Sequence, residues 1–196
     1  MKNKTQKSFG KKCLERLLEI ATPILAVLSH GCIEGYTVTP ELGLNIPTSQ
    51  RGNLVQYDNA ITYGVKGEVR TKKGVEVEVG YRGHNTNWKD AFQENDVEVG
   101  DLSVGVVIPF VRKKGTTVYA TAKVTSRSEE EESRLIGIPG SELSESRSAT
   151  GYGLGVGARV QAGKGELDAR VSYEGFGEGS YEESGLNASV GYTFSF

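Results

Sequence analysis

Eight segments of this chain alternate apolar and polar residues with a period of two, and this repetition limits the fold more than any other feature. Such alternation is typical of β-strands that have one apolar and one polar face. The apolar rows begin at Tyr36, Ile61, Val75, Leu102, Val118, Tyr152, Leu167 and Leu186. We therefore predict an all-β protein of eight strands.

The connections between the rows alternate in length. Tight, glycine-containing links follow the second, fourth and sixth rows, at residues 72–74, 112–115 and 163–165. Longer links follow the first, third, fifth and seventh rows, at residues 48–58, 83–96, 126–149 and 175–184. Outer-membrane barrels place short turns on the periplasmic rim and long loops on the outer rim. This alternation of short and long links predicts an eight-stranded antiparallel up-and-down transmembrane β-barrel. We call the rim with the tight links the short-turn rim and the rim with the long links the loop rim.

Two kinds of position interrupt this regularity. Val97 and Val99 are out of phase with the apolar row that follows them, so we expect a β-bulge near residues 100–101 or a strand that begins after them. Pro40 and Pro109 lie inside rows, although a closed barrel has no free edge. Each proline is therefore expected near a strand end or at a bulge.

The polar rows mix both signs of charge with glycine. Glycine and small hydroxyl residues suit the cramped lumen of an eight-stranded barrel and have little reason to gather on an exposed sheet face. We therefore predict that the polar rows face inward and that their charges pair. This lumen charge network consists of Glu68, Arg70, Glu78, Arg82, Lys123, Arg159, Asp168 and Arg170. The alternative is a soluble secreted barrel of the lipocalin type, with its apolar rows turned inward around an apolar ligand.

Aromatic residues near the ends of the rows favour the membrane barrel. With alternate strands reversed, one group falls at the short-turn rim: Tyr36, Phe110, Phe194 and Phe196. A second group falls at the loop rim: Tyr63, Tyr81, Tyr152 and Tyr173. The rows between them are mostly Val, Leu and Ala, and two aromatic girdles around an aliphatic band match the two interfaces of a bilayer.

The last strand ends in a motif formed by Ser189, Gly191, Phe194 and Phe196. It resembles the C-terminal signal by which the barrel assembly machinery of outer membranes recognises its clients. Over roughly residues 35–196 the chain resembles the small outer-membrane barrels of the outer-membrane protein A/X and opacity-protein type. The resemblance implies outer-membrane lipid and the assembly machinery as partners, and we expect a monomer. It does not identify an activity, because these barrels serve as adhesins, tethers, small pores and occasionally enzymes.

The first 31 residues differ from the rest of the chain. Five lysines precede an apolar run from Ile20 to Leu28, and Gly31 is a small residue directly before Cys32. The run is shorter than the ~20 residues that a spanning helix needs. We predict a signal peptide at residues 1–31 and a β-barrel domain at residues 32–196. A short amphipathic helix of a soluble protein is the alternative.

Cys32 follows a segment that resembles a lipoprotein cleavage box. The usual Leu is one position early, and His30 occupies a place that is normally held by a small residue. Two outcomes therefore stay open, lipidation of Cys32 or cleavage ahead of an unmodified cysteine. Removal of residues 1–31 takes away six basic and two acidic residues and leaves 17 basic and 23 acidic ones, a net charge of about −6. Such a chain is not expected to bind nucleic acid.

Few residues could support catalysis or bind a metal. His84 is the sole histidine after residue 31, and one His without a cysteine cluster is a poor metal site. The chain has no Gly-x-Ser-x-Gly elbow and no nucleotide-binding loop. A lipid-active enzyme that uses His84 and Asp90 therefore ranks third, and we expect no enzyme, cofactor or metal. Residues 129–132 are four glutamates, expected at a solvated loop tip whose outer partner the sequence does not identify.

Overall fold

The computed structural model describes residues 33–48, 59–72, 74–89, 93–138, 140–178 and 181–196. The eight strands are β1 (Ile33–Pro47), β2 (Ala60–Thr71), β3 (Glu76–Lys89), β4 (Gln93–Lys113), β5 (Thr116–Leu135), β6 (Leu143–Ala162), β7 (Gly165–Glu178) and β8 (Tyr181–Ser195). Each strand pairs antiparallel with the next, and β8 pairs with β1 to close the barrel. The predicted all-β, eight-stranded fold is confirmed.

Several sequence predictions fall on residues outside this part of the chain. They are the signal peptide at residues 1–31, the cleavage site at Cys32, nearly all of the first long link, and Asp90. Within the described ranges, no helix is long and apolar enough to cross a membrane.

The two faces of the strands have opposite polarity. On β1, the side chains of Thr37 and Thr39 are buried in the lumen, whereas Leu42 is 61% exposed on the outside. The same alternation continues around the barrel, with exposed aliphatic residues such as Ile61 and Leu154 on the outer surface. This arrangement does not fit a lipocalin-like barrel, whose apolar rows would line the interior.

The predicted irregularity near residues 100–101 does not occur. The pairing of β3 with β4 runs without a break through these residues. Val97 and Val99 are out of phase with the outer apolar row because they point inward, where they are 5% and 3% exposed. The apolar residues change face at this point of β4, while the strand itself continues.

The two prolines have different surroundings. Pro109 lies directly before a register shift in the pairing of β4 with β5, as predicted. The prediction was wrong for Pro40, which lies in the middle of β1. The pairing of β1 with β8 omits Thr39 and Pro40, and the hydroxyl oxygens of Thr39 and Thr193, 2.8 Å apart, bridge the gap. A proline is tolerated here because no ladder bond requires its missing N–H.

Strands β4, β5 and β6 are 21, 20 and 20 residues long. A tilted membrane strand needs only about 9–11 residues. The long links predicted at residues 83–96 and 126–149 are therefore largely wrong, because the ladder continues there to Lys89↔Glu94 and Ser133↔Leu143. These pairs form an outer sheet made of residues 84–89, 93–100, 126–135 and 143–150. At ~3.3 Å per residue and a tilt near 40°, it projects roughly 25 Å beyond the loop rim.

The outer sheet resembled a set of loops in the sequence because both of its faces are largely polar. Residues 129–132 were predicted at a solvated loop tip, and this prediction was wrong. They belong to β5, where Glu129 and Glu131 are buried on the inner side and Glu130 and Glu132 are exposed on the outer side. Hydrogen bonding between strands does not require an apolar face, so apolar alternation marks only the part of each strand that has an apolar outer face.

Gly157 accommodates the ring of Tyr119, which is fully buried in the lumen. A Cβ atom at position 157 would overlap that ring. We expect Gly157→Ala to lower the free energy of unfolding by about 1–3 kcal/mol, as measured by urea titration in lipid vesicles. Gly67→Ala is the matched control, because the nearest atom to its added Cβ is 3.8 Å away. Equal losses in the two variants would contradict a specific role for the Tyr119 contact.

Candidate functional site

Charged side chains fill the lumen in two layers. The lower layer, toward the short-turn rim, comprises Glu41, Lys66, Glu68, Arg70, Glu76, Glu78, Tyr119, Arg159, Glu166, Asp168 and Arg170. The upper layer, toward the loop rim, comprises Arg82, Asp101, Lys123, Arg127, Glu174 and Glu183. Among the described residues, no ion pair joins the lower layer to the upper layer.

Arg159 is the centre of the lower layer, and its side chain is 1% exposed. Its terminal nitrogens donate to Glu68 on β2 and to Glu76 on β3, both at 2.6 Å, so the guanidinium of a β6 residue spans the barrel. Its Nε donates to Asp168 at 3.4 Å. The guanidinium carbon lies 4.7 Å from the centroid of the Tyr119 ring. Buried charge is costly unless it is paired, and here one cation contacts three carboxylates.

Two further cross-barrel contacts complete the lower layer. Arg170 on β7 donates two hydrogen bonds to Glu78 on β3, at 2.8 and 2.5 Å. Lys66 on β2 donates to Asp168 on β7 at 2.7 Å, and the Tyr119 hydroxyl donates to the other oxygen of Asp168. These pairs tie opposite walls of the barrel together rather than neighbouring strands.

Arg70 lies at the short-turn end of this layer and is only partly buried. Its Nη2 donates to Glu166 at 2.8 Å, and its Nε is 3.5 Å from Glu76. Its side chain is 25% exposed, compared with 1% for Arg159. Arg70 therefore marks the level at which the lumen meets solvent.

The upper layer is built around Asp101 and two arginines. Arg82 donates to Asp101 at 2.6 Å and to Glu174 at 3.0 and 2.5 Å. Arg127 donates to both oxygens of Asp101, at 2.8 and 3.0 Å, and to Glu183 at 2.9 Å. Its guanidinium lies 3.7 Å from the centroid of the Phe176 ring. The aromatic ring covers the planar face of the cation while its edge is hydrogen-bonded.

The layers are separated by a narrow cavity of about 20 Å³. This volume is enough for about one water molecule. Three buried polar atoms on its lining lack a hydrogen-bond partner in the part of the chain that the structure describes: Arg82 Nε, Thr125 Oγ1 and Asn187 Nδ2. A wider cavity of about 380 Å³ opens below Arg159 at the short-turn rim. The lumen is thus wide at that rim and constricted at both layers.

The predicted lumen residues all lie in the two layers, but several other members were not predicted. The unpredicted charged members are Glu41, Lys66, Glu76, Asp101, Arg127, Glu166, Glu174 and Glu183. Lys66 and Glu76 have the same phase as the predicted residues of their strands, so phase alone could have found them. Asp101 and Arg127 were missed because residues 100–101 and 126–149 had been interpreted as a bulge and a loop.

His84 lies above the upper layer, 2% exposed and on the lumen side of β3. Its Nδ1 has no hydrogen-bond partner among the described residues. Among the described residues, no group of three or more His, Cys, Asp and Glu side chains is arranged to hold a metal ion.

The C-terminal motif closes the seam between β8 and β1. The N–H of Phe196 donates to the carbonyl of Tyr36 at 2.9 Å, while the Phe196 side chain is 80% exposed. Ser189 faces the lumen, where its hydroxyl is 3.5 Å from Glu41. A Cβ at Gly191 would be 2.5 Å from the carbonyl oxygen of Pro40, so glycine is needed opposite the gap in the ladder.

A family model described as "Outer membrane protein beta-barrel domain" matches residues 29–194. The chain belongs to this family. It is therefore an integral outer-membrane β-barrel, and its exposed aliphatic band faces lipid. No curated protein sequence matches the chain.

Solved structures show the same fold at low sequence identity. Neisserial surface protein A is 14% identical, with a TM-score of 0.66, over 84% of this chain and 99% of that chain. Ail, the attachment invasion locus protein of Yersinia pestis, is 15% identical with a TM-score of 0.57, over 82% and 99%. OprG from Pseudomonas aeruginosa is 12% identical with a TM-score of 0.57, over 85% and 98%. At these identities the likeness establishes the fold alone.

Substitution of Arg159 tests how much the ion pairs of the lower layer contribute to the free energy of unfolding. Arg159→Met leaves two buried carboxylates without their main cation, so we expect the free energy of unfolding to fall by about 3–5 kcal/mol. Arg112→Met, at a residue whose side chain is 54% exposed and 3.7 Å from Glu76, should change it by no more than about 1 kcal/mol. Urea titration in vesicles measures both variants.

A rescue variant separates loss of charge pairing from loss of packing. Neutralising the stranded carboxylates with Glu68→Gln and Glu76→Gln in the Arg159→Met background should recover part of the lost stability. If the three-residue variant is no more stable than Arg159→Met, the unpaired carboxylates are not the source of the loss.

Proposed function

We propose that this protein is a non-enzymatic outer-membrane barrel whose lumen is closed by paired charges and whose outer strands and loops serve surface recognition or envelope structure. The observation that carries this proposal is the pair of cross-barrel ion-pair layers. Each joins opposite walls of the lumen through buried arginines.

Closure follows from the energetics of the layers. A solute that passes Arg159 or Arg127 must separate charges that are each held by more than one carboxylate. Breaking a buried pair exposes ions to a low dielectric and costs several kcal/mol. An eight-stranded barrel is also just wide enough for its own side chains to fill. Water in the small central cavity is compatible with this arrangement, whereas a continuous pore is not.

The outer sheet favours recognition over transport. It places hydrogen-bonded strands, rather than isolated loop tips, in the solvent beyond the bilayer. Ail was solved in complex with the heparin analogue sucrose octasulfate, in a structure 16% identical to this chain with a TM-score of 0.54. The outer sheet of this chain is acidic, so we infer a cationic partner rather than a sulfated one.

Export and assembly are part of the same proposal. Residues 1–31 serve as the signal peptide, and residues 32–196 form the mature barrel, which acts as a monomer. Ser189, Gly191, Phe194 and Phe196 present the final strand to the assembly machinery. The intact mass of the mature protein distinguishes a lipidated Cys32 from an unmodified one.

Conductance in planar bilayers tests closure of the lumen. We expect rare, small openings at most from the purified protein, far below those of a 16-stranded porin. Because the layers act in series, Arg82→Ser with Arg127→Ser, or Arg159→Ser with Arg170→Ser, should leave one layer closed and conductance low. The four-substitution variant should conduct more than the sum of the two. Steady porin-sized conductance from the unmodified protein would contradict closure of the lumen, and transport would then replace surface recognition as the proposed function.

The role of the Phe196 side chain can be tested separately from that of its backbone. The backbone of Phe196 closes the seam between β8 and β1, whereas its ring does not. Phe196→Ser preserves the hydrogen bond from the backbone N–H to Tyr36, so a lower folded yield in cells would come from the missing aromatic signal. Phe110→Ser, at a girdle residue that is 61% exposed and far from the C terminus in sequence, is the matched control. The heat-sensitive shift in gel mobility reports the folded fraction. Equal yields for both variants would remove the argument for a terminal signal.

A further inference from the structure

The tip of the β5–β6 hairpin exposes four aliphatic residues at the far end of the outer sheet. Leu135, Ile136, Ile138 and Leu143 are 43%, 47%, 57% and 73% exposed. The strand pairs place them roughly 25 Å from the loop rim, so the bilayer that contains the barrel does not cover them. By strand phase, Leu135 and Leu143 lie with Ser133 on the inner face, and Ile136 and Ile138 belong to the turn between the strands. Exposed aliphatic residues gathered at the end of a solvated, otherwise polar hairpin mark an interaction surface.

The turn that carries these residues is held by specific hydrogen bonds. The Ser141 hydroxyl donates to the carbonyl of Ile138 at 2.8 Å, and the backbone N–H of Leu135 donates to the Ser141 hydroxyl oxygen at 3.0 Å. Gly137 has a φ of +83°, which suits glycine in a tight turn. These hydrogen bonds restrain the described residues of the tip, and such restraint lowers the entropic cost of association.

Below the tip, the outer face of the sheet carries carboxylates directly opposite one another. Glu98 pairs with Glu130 across the β4–β5 ladder, and Asp96 pairs with Glu132. All four side chains are exposed. Like charges at directly opposite positions destabilise an antiparallel pair. Nearer the tip on the same face, Arg134 contacts Glu94 at 3.3 Å, and on the inner face Arg147 contacts Glu131 at 3.6 Å and Glu145 at 2.7 Å.

We propose that this tip and the acidic face below it bind one surface of a protein partner, in which an apolar pocket receives the four aliphatic residues and Lys or Arg side chains surround it. Charge complementarity selects this occupant. A second copy of the chain would bring the two acidic faces together, and an anionic lipid surface would be repelled in the same way. The inference rests on the proposed recognition function and names the part of the protein that performs it.

The test uses the full-length barrel in zwitterionic nanodiscs and a fluorescent peptide of alternating Lys and Leu as the probe, with empty nanodiscs as the blank. Polylysine tests charge alone, and an alternating Ser and Leu peptide tests apolar contact alone. We expect the Lys and Leu peptide to bind at least about tenfold more tightly than either comparison peptide, because it alone satisfies both features. Its affinity should fall with added salt, since the carboxylates are exposed.

Two variants and their matched controls assign the binding to the tip and the face. Ile136→Ser with Ile138→Ser should weaken peptide binding by about tenfold or more, and Glu130→Gln with Glu132→Gln by about threefold at low salt. Ile33→Ser and Glu34→Gln make the same kinds of change at exposed positions of the opposite rim and should leave binding unchanged. The gel mobility shift confirms that each variant is folded.

Three results would overturn the proposal. One is equal binding of polylysine and the Lys and Leu peptide. Another is unchanged peptide affinity in the Ile136 and Ile138 variant. The third is binding of the unmodified barrel to protein-free vesicles or to itself with the same dependence on these isoleucines.

Adhesion of whole cells to a surface coated with basic protein distinguishes binding by the tip from the broader proposal that the protein serves surface recognition. Cells that lack the protein should adhere less than cells that carry it. Cells that carry the Ile136→Ser and Ile138→Ser variant should adhere as weakly as cells that lack the protein. Adhesion that depends on the protein but not on the two isoleucines would overturn the tip proposal and leave surface recognition standing. Adhesion that does not depend on the protein would count against both.

Discussion

The closed ladder of backbone hydrogen bonds is the constraint on which the rest of this structure depends. In a bilayer no water is available to satisfy N–H and C=O groups, so the eight strands must pair with one another on both sides. Proline lacks an N–H, and the pairing of β1 with β8 omits Thr39 and Pro40, where a hydrogen bond between the side-chain hydroxyls of Thr39 and Thr193 links the two strands instead. Once the ladder is closed, the side-chain period of two sends every second residue into a narrow interior.

That narrow interior explains why the charges form layers. Gly157 leaves space for Tyr119, and the Tyr119 ring in turn lies against the guanidinium of Arg159. The arginines reach across the lumen to carboxylates on opposite strands, so each layer acts as a brace between walls that share no backbone bonds. On the proposed function, stability and closure of the lumen have one source, because the pairs that hold the walls would also block the passage between them.

The sequence predicted the barrel well where the bilayer imposes polarity. The apolar rows, the tight glycine turns and the inward arginines such as Arg170 all follow from the alternation that lipid on one side requires. The prediction failed beyond the loop rim, because residues 129–132 lie in a strand that is polar on both its buried and its exposed face, so no apolar row reveals it. Individual partners, such as Asp101 for Arg127, depend on the stagger of strands around the barrel, which alternation along one strand does not specify.

The outer sheet also restricts how its length can vary between related sequences. A loop accepts insertions of any size, whereas a single residue added in β5 ahead of Val124 would turn Val124 and Glu130 to the opposite face and shift the pairing with both neighbours. Length changes are therefore confined to the turn around Gly137 or must occur as matched additions on β5 and β6. Substitutions face no such restriction, because the ladder is made by the backbone. This part of the protein can change its surface chemistry freely while its height above the membrane stays constant.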